Sequence, residues 1–349
     1  LDSRPIPRPA ANVRIIFFTD VHLSEGIDSL EGFDRALEAF EQEAPDLMIF
    51  GGDMGLEPSA VPEYEKRIEQ STTPVIFCYG NHELENGFLT LDRIGRNSSF
   101  HQLPGANIMV VDAWKHQQPD PATPLVNWFE IIDDSQVDWM QEQLAGVARD
   151  EPLLVVTHCP WKTAVDLGKF DGYDLCNAGK ALALIRDFKH VKILSGHRHE
   201  TARIYDGDIE MIMTNAVCGW WWENGIMSIS TDGSPPGYRL IEIAGTGEIT
   251  TIFKPLFDKA FGEVGLFTTA AGETCLNVYD GSARTKVFLD TERLSQIKLT
   301  DRIKGVRIDH FWMLPGERLG TELRITVEYE NGRAVTATLP ADHQPWKPY

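Results

Sequence analysis

The chain reads as an α/β core followed by an all-β appendage, and three observations predict it. Up to about residue 200, short apolar β-branched runs alternate with helical stretches, the pattern of a sheet flanked by helices. Beyond Gly196-His197-Arg198-His199 the helical periodicity stops, and short strands separated by turn dipeptides take over. Five polar motifs each follow an apolar run, which puts them at the carboxyl ends of buried strands, where α/β sheets bind ligands.

Taken in order, a Pro-rich lead (residues 1–12) precedes the strand RIIFF, a helix over Ser29 to Glu43 and the strand LMIF. A second helix is predicted from Pro62 to Glu69, before the strand PVIFCY. Residues Ser135 to Ala148 form an amphipathic helix that opens on a serine able to cap it. The strand LLVVT, a helix over Ala178 to Phe188 and the strand VKILS complete the alternation. The polar, Pro-containing insertion from Trp114 to Asp134 fits an active-site lid or a surface loop.

The runs ARIYD, IEMIMT, YRLIEI and TTIFKP follow, joined by Asp206-Gly207, Gly233-Ser234-Pro235-Pro236 and Gly245-Thr246-Gly247, and are expected to complete a second sheet. From about Leu256 the chain is β-type throughout, with Glu330-Asn331-Gly332 as a hairpin signal. The domains expected are therefore the lead at 1–12, a catalytic domain at 13–254 and a β-sandwich-like domain at 255–349. His310 and His343 are isolated there, so ending the chain near Leu256 is expected to leave undisturbed whatever the five motifs bind.

At 349 residues the chain can bury a large core. Its formal net charge of −20 argues against an extended nucleic-acid surface, which needs clustered Lys and Arg. A small phosphorylated substrate remains compatible, because bound divalent cations reverse the local field. No apolar stretch approaches the ~18 to 20 residues of a membrane span. The five cysteines form no C-x-x-C pair, and Cys78 and Cys159 are expected as buried free thiols. The start at Leu1 and the Pro-rich lead fit a cleaved signal peptide or a trimmed product, with a periplasmic or secreted location favoured over a cytoplasmic one. The sequence does not set the oligomeric state.

The motifs are Asp20-Val21-His22, Gly52-Asp53, Gly80-Asn81-His82-Glu83, Thr157-His158 and Gly196-His197-Arg198-His199. Singly they are weak: His197 and His199 share a side only on extended backbone, and could equally be a solvated turn. Together they place five of the ten histidines at strand ends, beside carboxylate and amide oxygens suited to first-row divalent metals.

In this order and with these residue types, the series resembles the calcineurin-like dinuclear metallophosphoesterases over roughly residues 13 to 254. The resemblance implies two mixed sheets packed as a sandwich between helices. It implies that Asp20, His22 and His199 hold one ion, that Asn81, His158 and His197 hold the other, and that Asp53 bridges them. It further implies hydrolysis of a phosphate ester, monoester or diester, by a metal-bridging hydroxide, with manganese, iron or zinc as the metals. His82 would face the leaving group as general acid or as a donor to the developing charge; Glu83, read from its place alone, orients the turn or starts the next helix. Many relatives carry a further acidic residue after Gly-Asp, a place Glu57 could fill. The Trp220 to Trp222 run and Asp232-Gly233-Ser234-Pro235-Pro236-Gly237-Tyr238 resemble, more loosely, a bacterial subgroup with an appended C-terminal domain.

Trp161 and Lys162 after the His158 loop, and Trp220 after the last ligand motif, are candidates to line the substrate cleft, although tryptophans also simply pack domains together. Cysteine-phosphatase chemistry is disfavoured, since no cysteine has an arginine six residues on, and no Gly-x-Ser-x-Gly elbow exists. The remaining alternative is a non-catalytic binding or scaffold module with a retained metal site.

Overall fold

Apolar runs without polar alternation are dictated by burial on both faces, and the strands of the first half show it. The computed structural model describes residues 12–24, 27–55, 59–85, 98–116, 128–162, 178–257, 262–269, 271–300 and 307–346. The strands β1 (Val13–Phe18), β2 (Leu47–Phe50) and β3 (Val75–Phe77) run parallel. Then come β4 (Ser99–Leu103), β5 (Ala106–Val110), the two hairpin strands β6 (Trp114–His116) and β7 (Trp128–Glu130), and β8 (Leu153–Val156) and β9 (Val191–Ser195). The following strands are β10 (Ala202–Asp206), β11 (Ile209–Met213), β12 (Gly237–Ile243) and β13 (Ile249–Pro255).

Two mixed sheets result, one ordered β13-β12-β1-β2-β3 and the other β10-β11-β9-β8-β5-β4. The period-2 alternation of a strand decides what lies between them. Ile15 and Phe17 face inward with Ile49, Ile108, Leu154, Val156 and Leu194, forming one buried cluster between the sheets. Ile16, Phe18 and Phe50 face outward, against α1 (Ile27–Gln42) and α2 (Ala60–Gln70). On the other outer face, Val155 and Ile193 pack against residues of α4 (Asp134–Leu144) and α5 (Ala178–Ile185). The short α3 (His82–Glu85) follows β3.

Two local expectations are corrected. The strands after the Gly-His-Arg-His motif do not together build a second sheet: β10 and β11 extend the second, whereas β12 pairs antiparallel with β1 and brings β13 to the first. Helix α4 is capped by Asp133, whose side chain accepts from the Gln136 amide, while the Ser135 hydroxyl donates to that same carboxylate. Of the insertion, only the β6–β7 hairpin and its flanks are described; residues 117–127 lie outside the described residues.

Among the described residues, the strands of the C-terminal region pair antiparallel, and an isolated parallel bridge joins Phe267 to Trp346. One sheet joins β14 (Val264–Thr268), β15 (Thr274–Val278), β19 (Arg307–Met313) and β18 (Gln296–Thr300). The other joins β17 (Glu292–Arg293), β16 (Lys286–Leu289), β20 (Leu323–Glu328) and β21 (Ala334–Leu339). Val264, Leu276, Val278, Val287, Ile325 and Val327 fill the space between them. The β20–β21 hairpin turns at Asn331-Gly332, where Gly332 has φ +82.

This region is fastened to the α/β core by a buried carboxylate. Asp280 Oδ1 accepts from Arg203 Nε at 2.9 Å and Arg239 Nη1 at 2.6 Å, and its Oδ2 accepts from Arg203 Nη2 at 2.9 Å and the Phe253 amide at 3.1 Å. Burial alone pushes the Asp280 carboxyl up, but the two guanidinium groups hold it far below the ordinary range.

Candidate metal centre

Each motif sits where a parallel strand ends. Asp20 and His22 follow β1, Asp53 follows β2, Asn81 and His82 follow β3, His158 follows β8, and His197 and His199 follow β9. The first sheet thus contributes both carboxylates, the amide and two imidazoles, and the second contributes the other three imidazoles.

The turns that aim these side chains are unusual. Asp20, His22, Asp53, His197 and His199 all have positive φ, between 46° and 73°. Left-handed backbone is disfavoured for residues bearing a Cβ, and it persists where surrounding contacts over-determine it. His197 and His199 therefore reach one cleft through left-handed turns and not through extended backbone. The motif glycines are required by close approach: a Cβ on Gly80 would lie 2.0 Å from Asp53 Oδ1, and one on Gly196 would lie 2.3 Å from Asp20 Oδ2.

The two carboxylates are held by one oxygen each. Asp20 Oδ2 accepts from the Thr19 hydroxyl at 2.6 Å and the His197 amide at 3.0 Å. Asp53 Oδ1 accepts from the His82 amide at 2.9 Å. The other oxygens turn to the imidazoles. Asp53 Oδ2 stands 3.1 Å from His158 Nε2 and 3.6 Å from His22 Nε2. Asp20 Oδ1 faces His199, His22 and His158 Nε2 at 3.4, 3.7 and 3.9 Å. It is buried and makes no hydrogen bond.

The imidazoles fall into two pairs. His22 Nε2 and His199 Nε2 lie 3.1 Å apart, and His197 Nδ1 and His158 Nε2 lie 3.2 Å apart. The far nitrogens orient the rings: His158 Nδ1 faces the Gly51 carbonyl at 2.7 Å and His199 Nδ1 faces the Gly219 carbonyl at 2.7 Å, so each donates there and turns its Nε2 inward.

Electrostatics points the same way. Burial raises both carboxyls, yet His158 and the neighbouring imidazoles bring Asp20 and Asp53 well below the ordinary carboxylate range. Burial lowers His158, but Asp53 and Asp20 outweigh it and lift the ring to about 10. His22 is pushed down to about 4, chiefly by burial. Two buried carboxylates demand positive charge, which the raised His158 supplies here and a cation on the same atoms would supply in its place; oxygen and nitrogen donors of this kind fit divalent first-row metals. The ligand atoms of Asp53, His158 and His197 lie within 4.8 Å of one another, and so do those of His22, Asp53 and His82.

Glu83 has a larger structural part than its motif discloses. Fully buried, its carboxylate accepts from the amides of Asp53 at 2.9 Å, Met54 at 2.6 Å and Gly80 at 2.6 Å, clamping two motif loops together. Burial and Asp53 raise its carboxyl to about 7.

The aromatic surroundings differ from expectation. Trp161 is 1% exposed and belongs to the apolar cluster beneath α4 and α5, so it is a core residue and not a cleft wall. Lys162 is committed to Asp206 at 2.6 Å. Trp220 has its ring 6.2 Å from that of His199. Its neighbour Trp221 lies nearer: the indole is stacked on His199 at 4.7 Å, tilted against His22 at 4.3 Å and edge-on to His82 at 5.6 Å. Trp114 flanks the other pair, 6.0 Å from His158 and 5.9 Å from His197. Sequence reasoning missed Trp114 and did not single out Trp221 within its run. Cys218, whose Sγ lies 3.6 Å from His199 Nδ1, was also missed. Glu57 lies outside the described residues.

A sandwich of mixed sheets with histidine and aspartate donors gathered at its strand ends defines a metal-dependent hydrolase of phosphate esters. The chain belongs to the calcineurin-like phosphoesterase family, whose model matches residues 13–201. The family uses a dinuclear metal centre. The chain is similar to the 3',5'-cyclic adenosine monophosphate phosphodiesterase CpdA of Escherichia coli, 25% identical over 264 residues, covering 72% of this chain and 92% of that protein. It is similar to a probable cyclic nucleotide phosphodiesterase of Rhodococcus erythropolis, 26% identical over 230 residues, covering 62% of this chain and 74% of that protein. Among solved structures, a dimetal phosphatase from Danio rerio shares the fold at TM-score 0.51 and 14% identity, covering 69% of this chain and 98% of that one. No helix among the described residues is long and apolar enough to cross a membrane.

Proposed function

We propose that the protein is a metal-dependent phosphodiesterase acting on a small phosphodiester such as a cyclic nucleotide, with His82 as proton donor to the leaving group. The observation that carries this reading is the division of four imidazoles into two close pairs around Asp20 and Asp53. Asp20, His22 and His199 would hold one ion, Asn81, His158 and His197 the other, and Asp53, with its two oxygens, both. Bound there, two cations supply an activated water and neutralise the phosphoryl oxygens. The cyclic nucleotide phosphodiesterases among the relatives support a diester over a monoester.

The chain's own residues account for the rest. Gly51 and Gly219 carbonyls orient the His158 and His199 rings, and Glu83 fixes the Asp53 loop against the Asn81 loop. His82 stands beside the cluster, its ring 4.8 Å from that of His22, with its backbone tied to Asp53. An imidazole there can donate a proton to a departing alkoxide. The test is a panel of cyclic nucleotides, linear diesters and monoesters offered to protein reconstituted with manganese, iron or zinc. Turnover of diesters well above monoesters is expected. Metal uptake without turnover of any ester would mark a binding module.

A further inference from the structure

The segment that carries His197 and His199 ends at Thr201, and Thr201 is held from outside its own sheet. Its amide donates to Asp232 Oδ2 at 2.9 Å, and the Thr231 hydroxyl donates to Glu200 Oε1 at 3.0 Å. The other oxygen of Asp232 accepts from the Ser234 amide at 2.9 Å and hydroxyl at 2.5 Å. The Asp232-Gly233 turn is in its turn gripped by the C-terminal β region. Asn277 Nδ2, on β15, donates to the Asp232 carbonyl at 2.9 Å, and His310 Nε2, on β19, stands 3.4 Å from Asp232 Oδ2. Gly233 has φ +73, and a Cβ there would come within 2.7 Å of Phe267 and 3.2 Å of Trp346.

Asp232, Asn277 and His310 are all buried, at 0%, 1% and 1% exposure. Burial pushes the Asp232 carboxyl up, while His310, Ser234 and the Thr201 amide bring it below its ordinary value. Replacing buried ionic groups by apolar packing of the same volume is often neutral or stabilising, so stability alone is a weak reason for such a buried polar chain. Position is what the left-handed His197 and His199 need.

We propose that the C-terminal β region is a positioning element of the metal centre, with His310 and Asn277 acting through Asp232 to hold Thr201 and thereby His199. The sequence-based expectation that this region is dispensable for metal binding is replaced by this one. The proposal rests on His197 and His199 being ligands, as under the proposed function.

The experiment titrates full-length, metal-stripped protein with Mn²⁺, read by the EPR signal of the free ion, beside amide exchange at Thr201. His310→Leu and Asn277→Ala are expected to weaken Mn²⁺ binding by about 10-fold or more and to speed exchange at Thr201. His310→Gln, which keeps a nitrogen donor, is expected to recover most of the affinity. Glu263→Gln, which disturbs the Tyr329–Glu263–Arg333 cluster within the same region, is expected to change neither readout. Should His310→Leu fail to fold, Asn277→Ala decides. Wild-type affinity and exchange in the folded variants overturn the proposal, as does an equal loss in Glu263→Gln. Failure of the ligand assignment itself looks different: the wild-type protein then takes up no Mn²⁺.

Discussion

Asp53, from the first sheet, and His158, from the second, meet at 3.1 Å, Oδ2 to Nε2, with both side chains buried. This contact joins the strand ends of the two sheets where the proposed function places a shared ion. Asp53→Asn removes the charge that both ions would feel. The variant is expected to lose metal and nearly all hydrolysis while its circular dichroism stays native. Two bound metals and wild-type turnover would show the bridging assignment to be wrong.

His82 is separable from the ligands by its leaving-group dependence. If it donates a proton, His82→Ala slows alkyl esters by about 10² to 10⁴-fold and nitrophenyl esters much less, since nitrophenolate departs unaided. Metal content stays at the wild-type level. Equal losses on both classes of ester would indicate a hydrogen bond to the transition state, and lost metal would make His82 a ligand.

Glu83→Ala leaves three buried amides, those of Asp53, Met54 and Gly80, without an acceptor. An unsatisfied buried donor costs about 1–3 kcal/mol, so denaturant unfolding should reveal a loss of at least about 3 kcal/mol by that scale. A change near zero would mean the two loops hold their shape without the clamp.

Acid sensitivity should trace to Asp280. Its folded carboxyl lies below the unfolded value, so it contributes stability above about pH 4 that is lost as pH falls toward the folded value. Melting temperature should therefore drop steeply below about pH 4 in the wild type. Asp280→Asn, which strands Arg203 and Arg239, should melt lower at pH 7 and show a flatter acid limb. Parallel limbs in the two proteins would count against this attribution.

Much of the cluster was readable because strand-end placement and donor chemistry coincide in the same short strings: the side chains of Asp20, His22, Asp53, His158, His197 and His199 meet, and Asn81 sits at the end of β3 beside them in sequence. What escaped depends on tertiary geometry. Three tryptophans in a row look alike in sequence, and the left-handed backbone at Trp221 and Trp222, φ 57° and 59°, decides which indole meets the histidines. Trp161 beside a motif looked like a cleft residue because adjacency along the chain hides which side of the sheet a turn faces. The pairing of β12 with β1 joins segments over two hundred residues apart, a contact that local alternation does not encode. His310 looked isolated for the same reason, its partner Asp232 lying on another element.

The left-handed turns at Asp20, His22, Asp53, His197 and His199 carry a conformational penalty of roughly 1–2 kcal/mol apiece, incurred on every folding event whether or not an ion arrives. Glycine would occupy each of those turns without that penalty. Under the proposed function, glycine at these five turns would give a hardier protein that has lost donors to its metals. The five residues as they stand set the proposed chemistry against robustness, and they mark where an engineer seeking a more heat-resistant enzyme must leave the backbone untouched.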